Sequence, residues 1–348
     1  APTHPLDHLS AAEHWTAYQV IRASDELTED ATFLYATLNE PPKAEVLAWE
    51  SGASFRREAF VHLVDEGTGY EAVVDLIGEE VLRFEAVSET SYMFGPDDWS
   101  GEGAILEDER VIAALEARGL TDLTMVQCGA GSTAFMGDAD EEGRRIGRGG
   151  CRSRIGSVNG LGDPVHGLII TIDLETQEVL NVVDEGPGPQ VGPVAEHHLE
   201  VMPEPREALP PIVVSQPQGR GFTLDGSQVA WESWRFHFRL DPRRGVVLSR
   251  VGHDVDGAFR SVLYSGALAE LFVPYNAPME PWSHQAYYDL ASYAQAFTGI
   301  AGSLEPGEDC PAYAHYVDTW VMRPNGAPGR VAKAACLFER PGAEPAWR

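Results

Sequence analysis

Hydrophobic and polar residues alternate along this chain with two different periods, and the changes of period predict its elements. In DHLSAAEHWTAYQVIRAS, Ser10 stands three residues before Glu13, the spacing of a capping box, and apolar positions then recur with helical period. Shorter segments follow, TFLYATL, EVLAWE, REAFVHLVD, GYEAVVDLIG and VLRFEAVS, each read as a strand. One helix followed by hairpin-spaced strands predicts an α+β unit. The arrangement then recurs without close sequence repetition. DERVIAALEARGL predicts a helix ending at Gly119, and LTMVQCGAG, RRIGRGGCRSR and HGLIITIDLETQEVLNVVDEG predict strands, the last folded at DLETQE.

A run rich in Pro, Gly and Glu, from 186 to 220, reads as a linker. Beyond it the chain turns to strand. QVAWESWRFHFRLDPRRGVVLSRVGHD gives two strands around a turn at DPRRG, and AFRSVLYSGALAELFVPY comes next. Trp231, Trp234, Phe236 and Phe238 are expected in a core, the last three on one strand face. AYAHYVDTWVM, the turn RPNGAPG and RVAKAACLF read as a hairpin. The domains expected are residues 1–95, 96–190 and 221–348, with 191–220 as linker. The last is short for a domain that opens with so many long apolar strands, which predicts an incomplete one.

Composition narrows the function classes. At 348 residues the chain is long enough for two or three cores. The formal charge of −29 argues against nucleic acid or an anionic membrane as partner, since both repel such a surface. No apolar run approaches the ~20 residues that cross a bilayer, and no signal-like apolar segment opens the chain. The expectation is a cytoplasmic protein, its initiator Met removed ahead of Ala1. Four cysteines are too few for a disulfide scaffold. Cys310 and Cys336 flank the hairpin, so a bridge is geometrically feasible, with two buried thiols as the alternative. Cys128 and Cys151 carry no spacing signal. With no C-x-x-C, H-x-H or H-E-x-x-H, and only the pair His197–His198, the chain offers no self-contained metal motif.

One stretch raises a sharper question. In YYDLASY, residues 287–293, a carboxylate sits between aromatic residues. Asp289 is read either as a turn or cap residue or as a proton acceptor in a pocket. In an extended segment Tyr287 and Asp289 share a face, whereas in a helix they stand about 200° apart.

Several ordered motifs here resemble the copper amine oxidases, topaquinone-dependent enzymes that oxidise primary amines. WESWRFHFRLDPRRGVVLSRVGHD, ALAELFVPYNAP, YYDLASY and GSLEPGEDC are similar to successive segments of that family's catalytic domain. HPLDHLSAAE resembles the opening of its second domain, and DPVHGLIITIDLETQEVLNVVDEG the end of its third. The resemblance implies two small α+β, cystatin-like domains followed by the first part of a large antiparallel β-sandwich. By position it implies that Asp289 is the catalytic base and Tyr287 the gate of the substrate channel. Tyr293, Leu161 and Trp99 fall at or near the substrate pocket, and Cys310 and Cys336 at a family disulfide. The family's chemistry needs a carboxylate that takes a proton from the carbon next to the amine nitrogen, and a partly desolvated Asp suits that task.

The departures are equally specific. Ala291-Ser292 replace a Gly-Glu after the base, and CLFERP keeps only Glu339 of an acidic run. The family's quinone-forming Tyr lies in an N-Y-[DE] motif, and its copper is held by H-x-H and a third His. None of these motifs occurs in this sequence. The resemblance therefore implies topaquinone and Cu(II) on a companion chain, with this chain inactive alone. An α2β2 assembly is the natural extension of the homodimers of the family. Its substrates would be a primary amine and O2, and its products aldehyde, ammonia and hydrogen peroxide. The alternative is a non-catalytic scaffold or binding protein with an amine-oxidase-like fold.

Overall fold

The computed structural model describes residues 2–24, 26–87, 100–132, 141, 144–159, 162–188, 196–198, 200–204, 206–207, 209–210, 213–268, 272–274, 286–288 and 302–340. For 132, 272–274 and 286–288 it describes the backbone only. Helix α1 (Ala11–Arg22) leads into strand β1 (Thr32–Asn39), helix α2 (Lys43–Ala48) and strands β2 (Glu58–Asp65), β3 (Thr68–Asp75) and β4 (Glu80–Ala86). Helices α3 (Glu102–Glu107) and α4 (Glu109–Glu116) precede β5 (Val126–Ser132), β6 (Ile146–Ser153), β7 (Asp163–Pro164), β8 (Leu168–Asp173) and β9 (Val179–Asp184). Strands β10 (Phe222–Asp225), β11 (Gln228–Trp231), β12 (Trp234–Asp241), β13 (Gly245–Val255) and β14 (Ala258–Ala267) follow. Last come β15 (Phe272–Pro274), β16 (Ala286–Tyr288), β17 (His315–Met322) and β18 (Pro328–Leu337). The architecture is mixed helix and antiparallel sheet, as the periodicities predict. No described helix is long and apolar enough to cross a membrane.

The chain divides into two compact units that interleave in sequence. The first takes Ala1–Val87, Ile212–Glu270 and Tyr293–Arg348, and the second Ser88–Pro211 and Leu271–Ser292. In the first unit, β1 to β4 form an antiparallel sheet in chain order. Helix α1 begins at the expected capping box: the Glu13 amide donates to Ser10 Oγ at 3.3 Å and the Ser10 amide to Glu13 Oε2 at 2.8 Å. Its buried face, His14, Ala17 and Ile21, has the 3–4 spacing of one helical stripe and closes over Phe33, Val61, Leu63 and Val74.

EVLAWE, expected as a strand, is instead helical through Ala48. Pro41-Pro42 halts β1, and the Pro42 carbonyl accepts from the amides of Glu45 and Val46, which starts the helix. Lys43, Ala44, Glu45 and Leu47 are strong helix formers. Local propensity thus wins over a weak alternation.

The same unit carries a second antiparallel sheet, β10 to β14 in chain order, and the β17–β18 hairpin. Phe238 packs with Phe222 and Val229 against Val317 and Leu337, and Leu240 with Val321 against Val331. Trp231 and Trp234, expected in the core, are 41 % and 37 % exposed. They pair across the tight turn at Glu232 (φ 51°), and neither belongs to that cluster. Sharing a strand face with Phe238 did not bring Trp234 under the same cover.

In the second unit, β5, β6, β8 and β9 form one sheet, with β7 on β6, and α3 and α4 cover Cys128, Cys151, Ile170 and Ile172. Every residue of β8 is buried. Gly149 on β6 permits the close approach of β5, because a Cβ there would stand 1.9 Å from the Gly129 carbonyl oxygen.

Candidate functional site

Tyr287 lies in β16, which pairs antiparallel with β15: Val273 faces Tyr287 and Phe272 faces Tyr288. The extended backbone is the conformation that the shared-face argument requires. Asp289 is the next residue after the strand in sequence, and it lies outside the described residues together with Tyr293, Leu161 and Trp99.

Cys310 and Cys336 are joined in a disulfide, the bridge that the hairpin makes feasible and the resemblance implies. The Tyr316 hydroxyl, opposite Cys336 across the hairpin, donates to the Cys310 carbonyl at 3.0 Å. Cys128 and Cys151 form a second disulfide that sequence reasoning missed. They face each other in register on β5 and β6. The two strands were legible, but their register was not.

Glu339 accepts hydrogen bonds from the Trp231 indole N–H at 2.9 Å, the Gly221 amide at 2.6 Å and the Gln216 side chain. The Gln216 and Gly221 donors hold its carboxyl below the usual range. It clasps the segment after β18 to the β10–β11 hairpin, and its lone pairs are committed there.

Among the described residues, metal-capable side chains gather at His4, Asp7 and His237, whose donor atoms lie within 4.8 Å of one another. All three are buried. The His4 and His237 rings stack at 4.4 Å between centroids, and His237 Nε2 meets Asp7 Oδ1 at 2.9 Å. Asp7 Oδ2 accepts from the amides of Thr3 at 2.7 Å and His4 at 2.9 Å. Burial works against the Asp7 carboxylate, but the bonds from His237, Thr3 and His4 together hold it well below the usual range. Burial pushes His4 down to about 4, helped by neighbouring His237.

The resemblance implies copper, and this donor set does not fit it. His4 Nδ1 accepts the Leu6 amide at 3.1 Å, its Nε2 faces the Arg250 guanidinium at 3.5 Å, and both Asp7 oxygens are bonded. A cation placed there would confront Arg250 and lose those bonds. The cluster is a clamp that fastens the first turn of the chain to β12. Sequence spacing offered no signal for it, because His237 stands 230 residues from Asp7.

A buried ion pair anchors the same segment. Arg57 donates to Glu13 through Nε at 2.6 Å and Nη2 at 3.0 Å, and to the carbonyls of Pro5, Asp7 and His8. A second set joins β1 to the β12–β13 turn. Asp241 accepts from Thr37 Oγ1 at 2.7 Å and from the amides of Arg243 and Arg244, while Arg239 and Arg244 both reach Glu40.

Family models of copper amine oxidases match three stretches of the chain: the N2 domain over residues 4–87, the N3 domain over 100–198 and the enzyme domain over 223–348. The copper-containing amine oxidase gamma 1 of Arabidopsis thaliana is 32 % identical over 363 residues, covering 100 % of this chain and 50 % of the relative. The primary amine oxidase of Klebsiella aerogenes is 29 % identical, covering 97 % of this chain and 45 % of the relative. The solved copper-containing benzylamine oxidase from Hansenula polymorpha superposes with a TM-score of 0.78 over 97 % of this chain and 56 % of its own. At 21 % identity that likeness is one of fold. The chain spans about half the length of the curated relatives it matches.

Proposed function

This chain belongs to the copper amine oxidase family, and on that premise we propose that it is one subunit of a two-chain primary amine oxidase. The assembled enzyme converts a primary amine and O2 to aldehyde, ammonia and hydrogen peroxide. In this reading the segments 1–95 and 96–190 are cystatin-like domains, and 221–348 is the first part of the catalytic β-sandwich. The Asp289 carboxylate takes the proton from the carbon bearing the amine nitrogen, and Tyr287 gates the channel above it. Tyr293, Leu161 and Trp99 line the pocket. Topaquinone and copper reside on the companion chain in an α2β2 assembly.

The match of the enzyme-domain model from 223 to 348 carries this reading. The extended strand at Tyr287 and the Cys310–Cys336 bridge support it. In this reading the companion supplies N-Y-[DE] and H-x-H, which the present residues do not contain, and the copper that the His4 cluster does not fit. Apolar side chains on β13 and β14 support an interface: Val246 is 48 % exposed, Phe259 46 % and Val262 58 %. A scaffold without catalysis is the second reading, favoured by Glu339, whose carboxylate is committed to its clasp. A cytoplasmic location follows from the sequence patterns, whereas two disulfides suit an oxidising compartment. Fractionation of producing cells decides between them.

The test is co-expression with a neighbouring reading frame that encodes both missing motifs, in the presence of copper. The complex should show a quinone absorption band that amine bleaches. Asp289→Ala should leave assembly and the band intact and abolish turnover. Full turnover in that variant removes the catalytic assignment.

A further inference from the structure

Helix α2 and the loop joining it to β2 enclose a cleft of about 460 Å³ that the amine oxidase reading does not use. Pro5, Pro41 and the fully buried Val46 contribute apolar lining. Trp49 and Phe55 also line it, their rings edge to face at 5.8 Å between centroids. The Trp49 ring is fixed from two sides. Its indole N–H donates to the Ala53 carbonyl at 2.9 Å, and the His4 ring packs edge-on at 4.9 Å.

The rim sets the sign of the ligand. Arg56, the one cation that lines the cleft among the described residues, is shared between Glu45 at 3.4 Å and Glu58 at 3.3 Å. Glu50 also lines the cleft, and no cation among the described residues forms an ion pair with it. An anion would therefore meet net negative charge, and a small metal ion would find too few converging oxygens. A rigid indole face beside an uncompensated carboxylate is the surroundings an organic cation prefers. The volume suits a ring with a short tail, and the charge of −29 concentrates cations near the surface.

We propose that this cleft binds a hydrophobic ammonium ion, an aryl- or alkylammonium whose apolar body lies against Trp49 and Phe55 and whose charge faces Glu50. Its occupancy does not depend on Asp289 or on a companion chain.

The test is titration of the purified chain with benzylammonium chloride, followed by tryptophan fluorescence and calorimetry, with benzyl alcohol as the uncharged counterpart. Benzylammonium should bind saturably and benzyl alcohol at least several-fold more weakly. Glu50→Gln should weaken binding about two- to five-fold, the worth of an exposed ion pair, and Trp49→Phe should remove the fluorescence change while calorimetry still registers binding. Asp289→Ala should leave the affinity unchanged, which separates this site from the proposed catalytic one. Far-ultraviolet circular dichroism confirms the fold of each variant. Equal affinity for benzyl alcohol, unchanged affinity in Glu50→Gln, or loss of binding in Asp289→Ala would overturn the proposal.

Discussion

Lowering the pH from neutral to about 5 should strip stability from the first unit well before its carboxylates titrate. The perturbation acts on His4 and His14, each 1 % exposed. Burial pushes both from 6.5 down to about 4. His4 is faced by His237, Asp7, Arg250 and Arg57, so its cationic neighbours oppose a further positive charge while Asp7 favours one. His14 is faced by Glu13 and His8, and its Nδ1 lies 3.0 Å from the Ser10 carbonyl. Below 6.5 the unfolded chain binds protons that the folded chain refuses. Stability is therefore full above 6.5, declines through the interval and levels off near 4. Each histidine costs about 1.4 kcal/mol per pH unit there. Two of them cost about 4 kcal/mol by pH 5, a large part of the ~5–15 kcal/mol that holds a typical domain together. Urea unfolding of the oxidised chain at pH 7 and 5 measures the loss. His14→Asn should lessen the pH dependence, and the His4 and His14 ring-proton resonances of the native chain should keep neutral positions down to pH 5. A pH-independent midpoint, or His4 and His14 signals that titrate near 6.5, would refute the reasoning.

Arg57→Met should destabilise the first unit by about 2–3 kcal/mol in the same urea assay, because the partly buried Glu13 is left without its cation. Replacing Cys310 and Cys336 together by Ser opens a loop of 26 residues and should cost roughly 3–4 kcal/mol, read as a lower melting temperature under non-reducing conditions. Gly149→Ala should force β5 and β6 apart, seen as faster amide exchange in both strands, since the added methyl would overlap the Gly129 carbonyl.

How much was legible depends on the distance over which each feature is specified. The Ser10–Glu13 capping box, the helix ending near Gly119 and the hairpin around RPNGAPG all appear where the sequence places them. Each is specified within a few residues. The strand expected at EVLAWE failed on the same scale, because adjacent prolines and helix formers outweighed the alternation. At Tyr287 the shared-face argument only states what an extended backbone would allow, and the strand itself came from the pairing of β16 with β15.

By itself the sequence determined periods, caps, turns and family, since these reside in neighbouring residues or in the order of motifs. Only the tertiary structure decided that Trp231 and Trp234 face outward, that Cys128 meets Cys151, and that His237 closes on Asp7. Burial and charge pairing depend on which distant segment arrives, and at what register. A Trp in an alternating strand is covered only if a second layer reaches it. A carboxylate near the start of the chain becomes a clamp only once β12 brings an imidazole within hydrogen-bond distance.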